Sequence, residues 1–293
     1  MSDLLYLYGI TRAEASPPVG LLALRHGDLA ALCARVSPLE FADAAALGLR
    51  LSDPAYVVPL AERHEATLRA ARRLSPVLPA RLCTLFRSEA ALRSLLSAQA
   101  PRLRARLSRI EGREEYAVKL YCDHARLRAV LAQRGAVPLE EQALSAGMRY
   151  LARRRREERA TAQADARCEA VVNEVLAALF PYVDALRERP PLPPGSTGRS
   201  ELMLLNLALL CAEAGAARVA GVCAALQGSH SAEGFALQRG GPFTPYSFAA
   251  YDPDDSAQGD DADDPDDDDT SDDLSDGAGL RGAPKEARDV LPA

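Results

Sequence analysis

Tryptophan is absent from the chain, and tyrosine and phenylalanine together supply only 15 side chains. That leaves little with which to stack nucleobases or sugar rings. No run approaches the roughly 18 apolar residues that a membrane-crossing helix needs. The opening Met1-Ser2-Asp3-Leu4-Leu5-Tyr6 lacks the basic segment and small-residue cleavage site of a secretion signal, so the expectation is a cytoplasmic protein with no membrane partner. The six cysteines, Cys33, Cys83, Cys122, Cys168, Cys211 and Cys223, contain no C-x-x-C pair, and in a chain of this length they read as reduced thiols. G-x-S-x-G, P-loop and H-E-x-x-H patterns are missing, and residues 1–251 hold no G-x-G-x-x-G. The sequence therefore assigns no catalytic, cofactor-binding or metal-binding residue.

What is present is alanine and leucine, a composition that favours helices, within a chain that is 48% hydrophobic. Charge is divided unevenly. Residues 252–293 hold 16 acidic and 3 basic side chains, against 25 and 32 in residues 1–251. A mildly basic body thus carries a strongly acidic tail, with Asp266 to Asp269 unbroken. Too few apolar residues remain there to offset chain entropy, so residues 252–293 are expected to be disordered. They read either as a solubilising tail or as an interaction tail. Deleting them is expected to leave the melting temperature essentially unchanged, which a thermal scan of the truncated chain would check.

Hydrophobic period places the elements. Strands are expected at 4–10, 21–25 and 29–36, with His26-Gly27-Asp28 as a turn. Asp53-Pro54 opens a helix to about residue 73, Asp53 as cap and Pro54 in the first position. Residues 75–86 are strand-like, with two prolines that suit an edge or bend. A helix from 88 carries Leu92, Leu95, Leu96, Leu103, Leu107 and Ile110 on one stripe, kinked or split by Pro101. A strand at 114–122, a helix at 123–133 and nearly continuous helix over 139–188 follow, the last with Val172, Val175, Leu179 and Val183 in a stripe. Pro190 to Gly195 forms a stiff linker. The dense run 201–211 reads as a strand buried on both faces. A helix at 215–227 and a strand at 234–238 complete the order. The expected class is α+β with two domains: 1–112, and 113–251, the latter a ferredoxin-like sandwich with an oversized first crossover of long helices. Residues 252–293 are the tail.

Candidate chemistry is sparse. Cys122-Asp123-His124 juxtaposes three possible ligands, yet neighbours on a strand point to opposite sides. The expectation is that Asp123 caps the next helix. His26, His64 and His230 are read as surface histidines, and the cysteines as small core residues. Arg153-Arg154-Arg155-Arg156, followed by Glu157-Glu158-Arg159, is the most prominent charge cluster. It suits a solvated helix face with i,i+4 pairs. The functional alternative is a docking surface for a partner protein or for the acidic tail. Without a stronger basic excess or interleaved aromatics, nucleic acid is not expected as a partner.

Five segments, in order, carry a resemblance. They are Tyr6-Leu7-Tyr8-Gly9-Ile10; Val77 to Phe86 (VLPARLCTLF); Glu111 to Tyr121 (EGREEYAVKLY); Leu204-Leu205-Asn206; and Gly241 to Phe248 (GPFTPYSF). Together they resemble the GvpF/GvpL gas vesicle family across residues 4–248. Leu82-Cys83 stands where the family has Phe-Gly, placing a side chain at a position suited to glycine. Tyr116-Ala117 stands for Trp-Gly, and Phe243-Thr244 for Trp-Pro. The resemblance implies a two-domain α+β protein that helps to build the gas vesicle by contacting the main shell protein GvpA and other Gvp proteins. It carries no catalysis and no cofactor. It leaves open an F-like or an L-like role, and equally a chaperone-like adaptor that never enters the shell.

Overall fold

The computed structural model describes residues 3–41, 44–134 and 145–249. The expected acidic tail, and the part of the expected long helix over 139–144, lie outside the described residues.

Two antiparallel sheets organise the chain. The first has the order β2-β3-β1-β4, with β1 Leu4–Arg12, β2 Leu22–His26, β3 Leu29–Val36 and β4 Val77–Pro79; the short β5, Leu85–Phe86, also pairs with β1. The second has the order β7-β8-β6-β9, with β6 Arg113–Cys122, β7 Ala185–Glu188, β8 Leu202–Ala212 and β9 Phe235–Phe243. Taken in chain order within each half, the strands are arranged the same way in both sheets, so each half wraps its first strand between its third and fourth.

Local chemistry explains most element ends. The Asp53 carboxylate accepts from the Ala55 backbone N–H at 2.9 Å, starting α3 (Pro54–Arg72) with Pro54 in its first turn. Gly27 at φ 60° turns β2 into β3, and His26 pairs with Leu29. The Leu-rich stripe divides into α4 (Glu89–Ala98) and α5 (Ala100–Ile110) just ahead of Pro101. Close approach fixes Gly9: a Cβ there would lie 2.5 Å from the Leu78 carbonyl oxygen and 2.7 Å from Val77 Cγ1. Strand β4 can lie against β1 only across a glycine.

Several expectations are corrected. The expected strand over 75–86 is two short strands with irregular backbone between them. Two helices, α1 (Pro38–Phe41) and α2 (Ala44–Leu51), are ones that periodicity did not signal. After α6 (His124–Arg134), α7 runs from Ala146 to Leu179, and helix does not continue to 188. Pro181 interrupts it, and residues 185–188 become β7 because β8 offers them a ladder, Ala185 opposite Leu210. The last strand reaches Phe243, not 238.

The register of β8 positions everything else. Leu205, Leu207, Leu209 and Cys211 face the core under α7 and α8 (Glu213–His230), with Val171, Val175, Leu179 and Val219. Ala208 and Leu210, on the other face, join the core of the first half with Leu78, Leu103, Leu107 and Ile110. A strand apolar on both faces thus glues the two halves. The closing helix α9 (Tyr246–Ala249) adds Phe248 and Ala249 to the same cluster.

Candidate functional site

Two of the segments that carry the family resemblance, residues 111–121 and 241–248, meet at the seam between the halves. Glu115 lies on the β6 face away from the helices and is 3% exposed. Its carboxylate accepts from the Ser247 backbone N–H at 2.9 Å, the Ser247 hydroxyl at 2.8 Å and Arg189 Nη2 at 2.5 Å. Arg189 also reaches the Ser247 hydroxyl. Arg72 pairs with Glu114 and donates to the Phe243 carbonyl at 3.1 Å. The Thr244 hydroxyl donates to the Glu65 carboxylate on α3. Residues 243–249 therefore form a strap from the end of the second sheet onto the first half. A cleft of about 580 Å³ opens beside it, lined by Arg72, Arg73, Leu74, Arg113, Glu114 and Glu213. Two of its arginines are already matched, Arg72 to Glu114 and Arg113 to Asp184 at 3.1 Å.

A second buried polar group joins the first two family-like segments. His64 Nε2 lies 3.1 Å from the Ala80 carbonyl, which can only accept, so Nε2 carries the proton. Nδ1 then accepts from the Tyr6 hydroxyl at 2.9 Å, and that hydroxyl accepts from the Cys83 backbone N–H at 3.1 Å. Burial lowers the His64 pKa and raises that of Tyr6, so both stay neutral near pH 7.

Cys83, at φ 62°, is the one non-glycine residue with positive φ among the described residues. A side chain in the left-handed region costs about 1–2 kcal/mol, offset in part by the smaller unfolded-state entropy of a non-glycine residue. Cys83→Gly is expected to stabilise by about 0.5–1 kcal/mol, read as a higher urea midpoint at unchanged slope.

The sequence-predicted arginines stand elsewhere. Arg153, Arg154, Arg155 and Arg156 lie on the first half of α7, exposed, and away from the seam. Arg153 Nε donates to Glu157 at 2.9 Å and Arg154 Nε to Glu158 at 3.0 Å, the i,i+4 pairs the spacing predicts. Met148, Tyr150 and Leu151, just before them, are also exposed. The buried stripe of α7 starts only at Ala164 and continues through Cys168, Val171, Val175 and Leu179. The earlier turns form an arm. Its base is anchored by a cluster that sequence reasoning missed. Buried Glu233 accepts from Arg134 at 2.6 Å and Arg167 at 2.8 Å. Burial opposes its charge, but the two guanidinium bonds prevail and hold its carboxyl below the usual range. Arg167 also donates to His230 Nδ1 at 3.2 Å.

His64 and His230 are thus buried, not surface, histidines. Asp123 Oδ1 accepts from the Arg126 backbone N–H at 2.9 Å and caps α6. His124 faces Asp165 at 3.1 Å. Cys168 Sγ donates to Cys122 Sγ at 3.7 Å inside the second core. Burial pushes the Cys33 thiol up to about 11, an inert core thiol at neutral pH. Among the described residues no three His, Cys, Asp or Glu side chains are placed to hold a metal ion, and no helix is long and apolar enough to cross a membrane.

Comparison with known proteins gives a consistent result. A family model described as gas vesicle synthesis protein GvpL/GvpF matches residues 4–250. Gas vesicle protein L of Streptomyces sp. (strain CB03234) is 28% identical over 253 residues, covering 83% of this chain and 92% of that protein. The crystal structure of GvpF from Anabaena sp. PCC7120 superposes with a TM-score of 0.60 at 18% identity, over 86% of this chain and 98% of that one. GvpF from Microcystis aeruginosa gives 0.57 at 16% identity, over 84% and 98%. At these identities the two structures establish a shared α+β fold.

Proposed function

Because this chain belongs to the GvpL/GvpF family of gas vesicle synthesis proteins, we propose that it is a gas vesicle assembly or minor structural protein that works through contacts with the main shell protein GvpA and other Gvp proteins. The observation that carries this reading is a division of labour. The family-like segments are used up inside the fold: Glu115–Ser247 fastens the closing strap at the seam, and Tyr6–His64–Cys83 ties the first half together. The α7 arm is left presented to solvent. Arg153 to Arg156, with exposed Met148, Tyr150 and Leu151, are its contact residues. Arginine beside exposed apolar side chains is the composition enriched at protein–protein interfaces.

We read residues 1–112 and 113–251 as two domains. For the second, the order β7-β8-β6-β9 with helices between β6 and β7 and between β8 and β9 supports a ferredoxin-like sandwich enlarged by α6 and α7. The protein acts in the cytoplasm and at the vesicle, with no catalytic step.

The test is co-purification from cells making gas vesicles. Replacing Arg153 to Arg156 by glutamine is expected to cut recovery of GvpA and other Gvp proteins about tenfold, as loss of interface charge contacts worth about 1.4 kcal/mol would do. Unchanged recovery excludes the arm. Normal vesicles in a strain lacking this chain, and lacking any paralogue, would count against the whole reading. The acidic excess of residues 252–293 supports a second reading, a soluble adaptor absent from the finished shell. Washed intact vesicles that retain the chain would decide for a shell component.

A further inference from the structure

The arm has an excess of charge that its own residues do not neutralise. Residues 148–160 carry six arginines and two glutamates. Glu157 and Glu158 face Arg153 and Arg154. Arg149, Arg155 and Arg159 have no acidic partner among the described residues. Arg149 and Arg153, and Arg155 and Arg159, are like-charged neighbours one turn apart, an arrangement that destabilises an exposed helix. Six guanidiniums within about 18 Å of helix form a surface that fits a polyanion.

We infer that the polyanion is the chain's own C-terminal segment, residues 252–293, docking in cis along the α7 arm. This rests on the arm being a docking surface, as proposed above, and names what occupies it before a vesicle partner does. Charge is the first argument. Residues 260–269 contain eight aspartates in ten positions, against a net excess of four arginines on the arm.

Reach is the second. The strap fixes Ser247 beside Glu115, near the start of β6. From there to Cys122 is seven residues of strand, about 23 Å. Cys168 packs on Cys122, and thirteen helical residues back from Cys168 lies Arg155, about 20 Å further. The route from chain exit to arm is therefore on the order of 45 Å. Measured from Ala249, an extended chain reaches about 36 Å at residue 260 and about 66 Å at residue 269. The aspartate block brackets the distance. A charged, self-repelling segment favours such extension. Docking of this kind leaves a partner of similar acidity to compete for the same arginines.

The test places a photo-cross-linking residue at Thr270 in the full chain and maps the cross-linked peptides after irradiation. Cross-links are expected within one molecule, concentrated on peptides from residues 146–163. Their yield should fall about tenfold between 50 mM and 500 mM salt, as contacts between exposed charges do. It should fall comparably in R149Q/R155Q/R159Q, variants whose fold is checked by an unchanged melting temperature. Cross-links spread evenly over the surface, concentrated on the cleft beside Arg73, or joining two molecules in proportion to concentration would each overturn the inference. The docking-surface reading is tested separately. If cross-links miss the arm while the Arg153 to Arg156 variant still loses Gvp proteins, only the tail assignment falls. If that variant keeps them, the arm falls as a partner surface.

Discussion

Glu115→Ala is expected to lower the unfolding free energy by about 2–3 kcal/mol, the sum of leaving two part-buried donors at the seam without an acceptor. The Ser247 backbone N–H and hydroxyl both point at this carboxylate, and among the described residues neither has another acceptor. Each buried, unsatisfied donor costs about 1–3 kcal/mol. The Arg189 ion pair adds less, because that side chain is 41% exposed and water can replace the lost oxygen. Glu115→Gln keeps one carbonyl acceptor and is expected to lose about half as much. Urea unfolding reads the total. Limited trypsin cleavage after exposed Arg239 reads the local consequence, since a released strap frees β9 at its end. A midpoint within error of the parent chain would mean that apolar packing of Phe248 and Leu210, and not the carboxylate, closes the seam.

This seam also shows where sequence reading reaches its limit. Elements governed by neighbouring residues were legible: β3 over 29–36, the Asp53-Pro54 start of α3, the break at Pro101, and β8 as a doubly buried strand. In each case the sequence signal lies within a few residues. The strand at 185–188 was not legible, because Ala-Leu-Arg-Glu is a good helical sequence and only pairing with β8 makes it extended. The burial of Glu115 depends on Ser247, 132 residues away, and that of His64 on Tyr6, 58 residues away. Side-chain period can place Glu115 on one face of β6, but not say that the second half's closing strap covers that face. One signal was available: Glu115 and Ser247 both lie in segments that resemble the family, and a charged residue held beside a nearly apolar strand implies a buried partner. Position 83 was the converse case. The glycine expected there marked a left-handed backbone, and Cys83 occupies it at φ 62°.

His64→Ala is expected to cost about 3–4 kcal/mol at pH 7.5, and that cost should shrink on acidification. Removing the imidazole leaves the buried Ala80 carbonyl without its donor and the Tyr6 hydroxyl without its acceptor, and adds a cavity beside Tyr6 and Tyr8. The pH dependence follows from linkage. Burial holds the folded pKa of His64 below its ordinary value near 6.5, although the Ala80 carbonyl and Glu65 pull it back in part. Between the folded and unfolded values the unfolded chain binds the extra proton. The imidazole's contribution is therefore complete above about pH 6.5 and is lost as pH falls through the folded value. Comparing His64→Ala with the parent chain at each pH cancels the titration of the carboxylates, which both share. A gap that stays constant from pH 7.5 to pH 5 would show that the histidine is not held neutral. Tyr6→Phe separates the two halves of the network. It leaves the Cys83 N–H without its acceptor while His64 keeps Ala80, and the double variant should cost less than the two single changes together, because each already removes the bond they share.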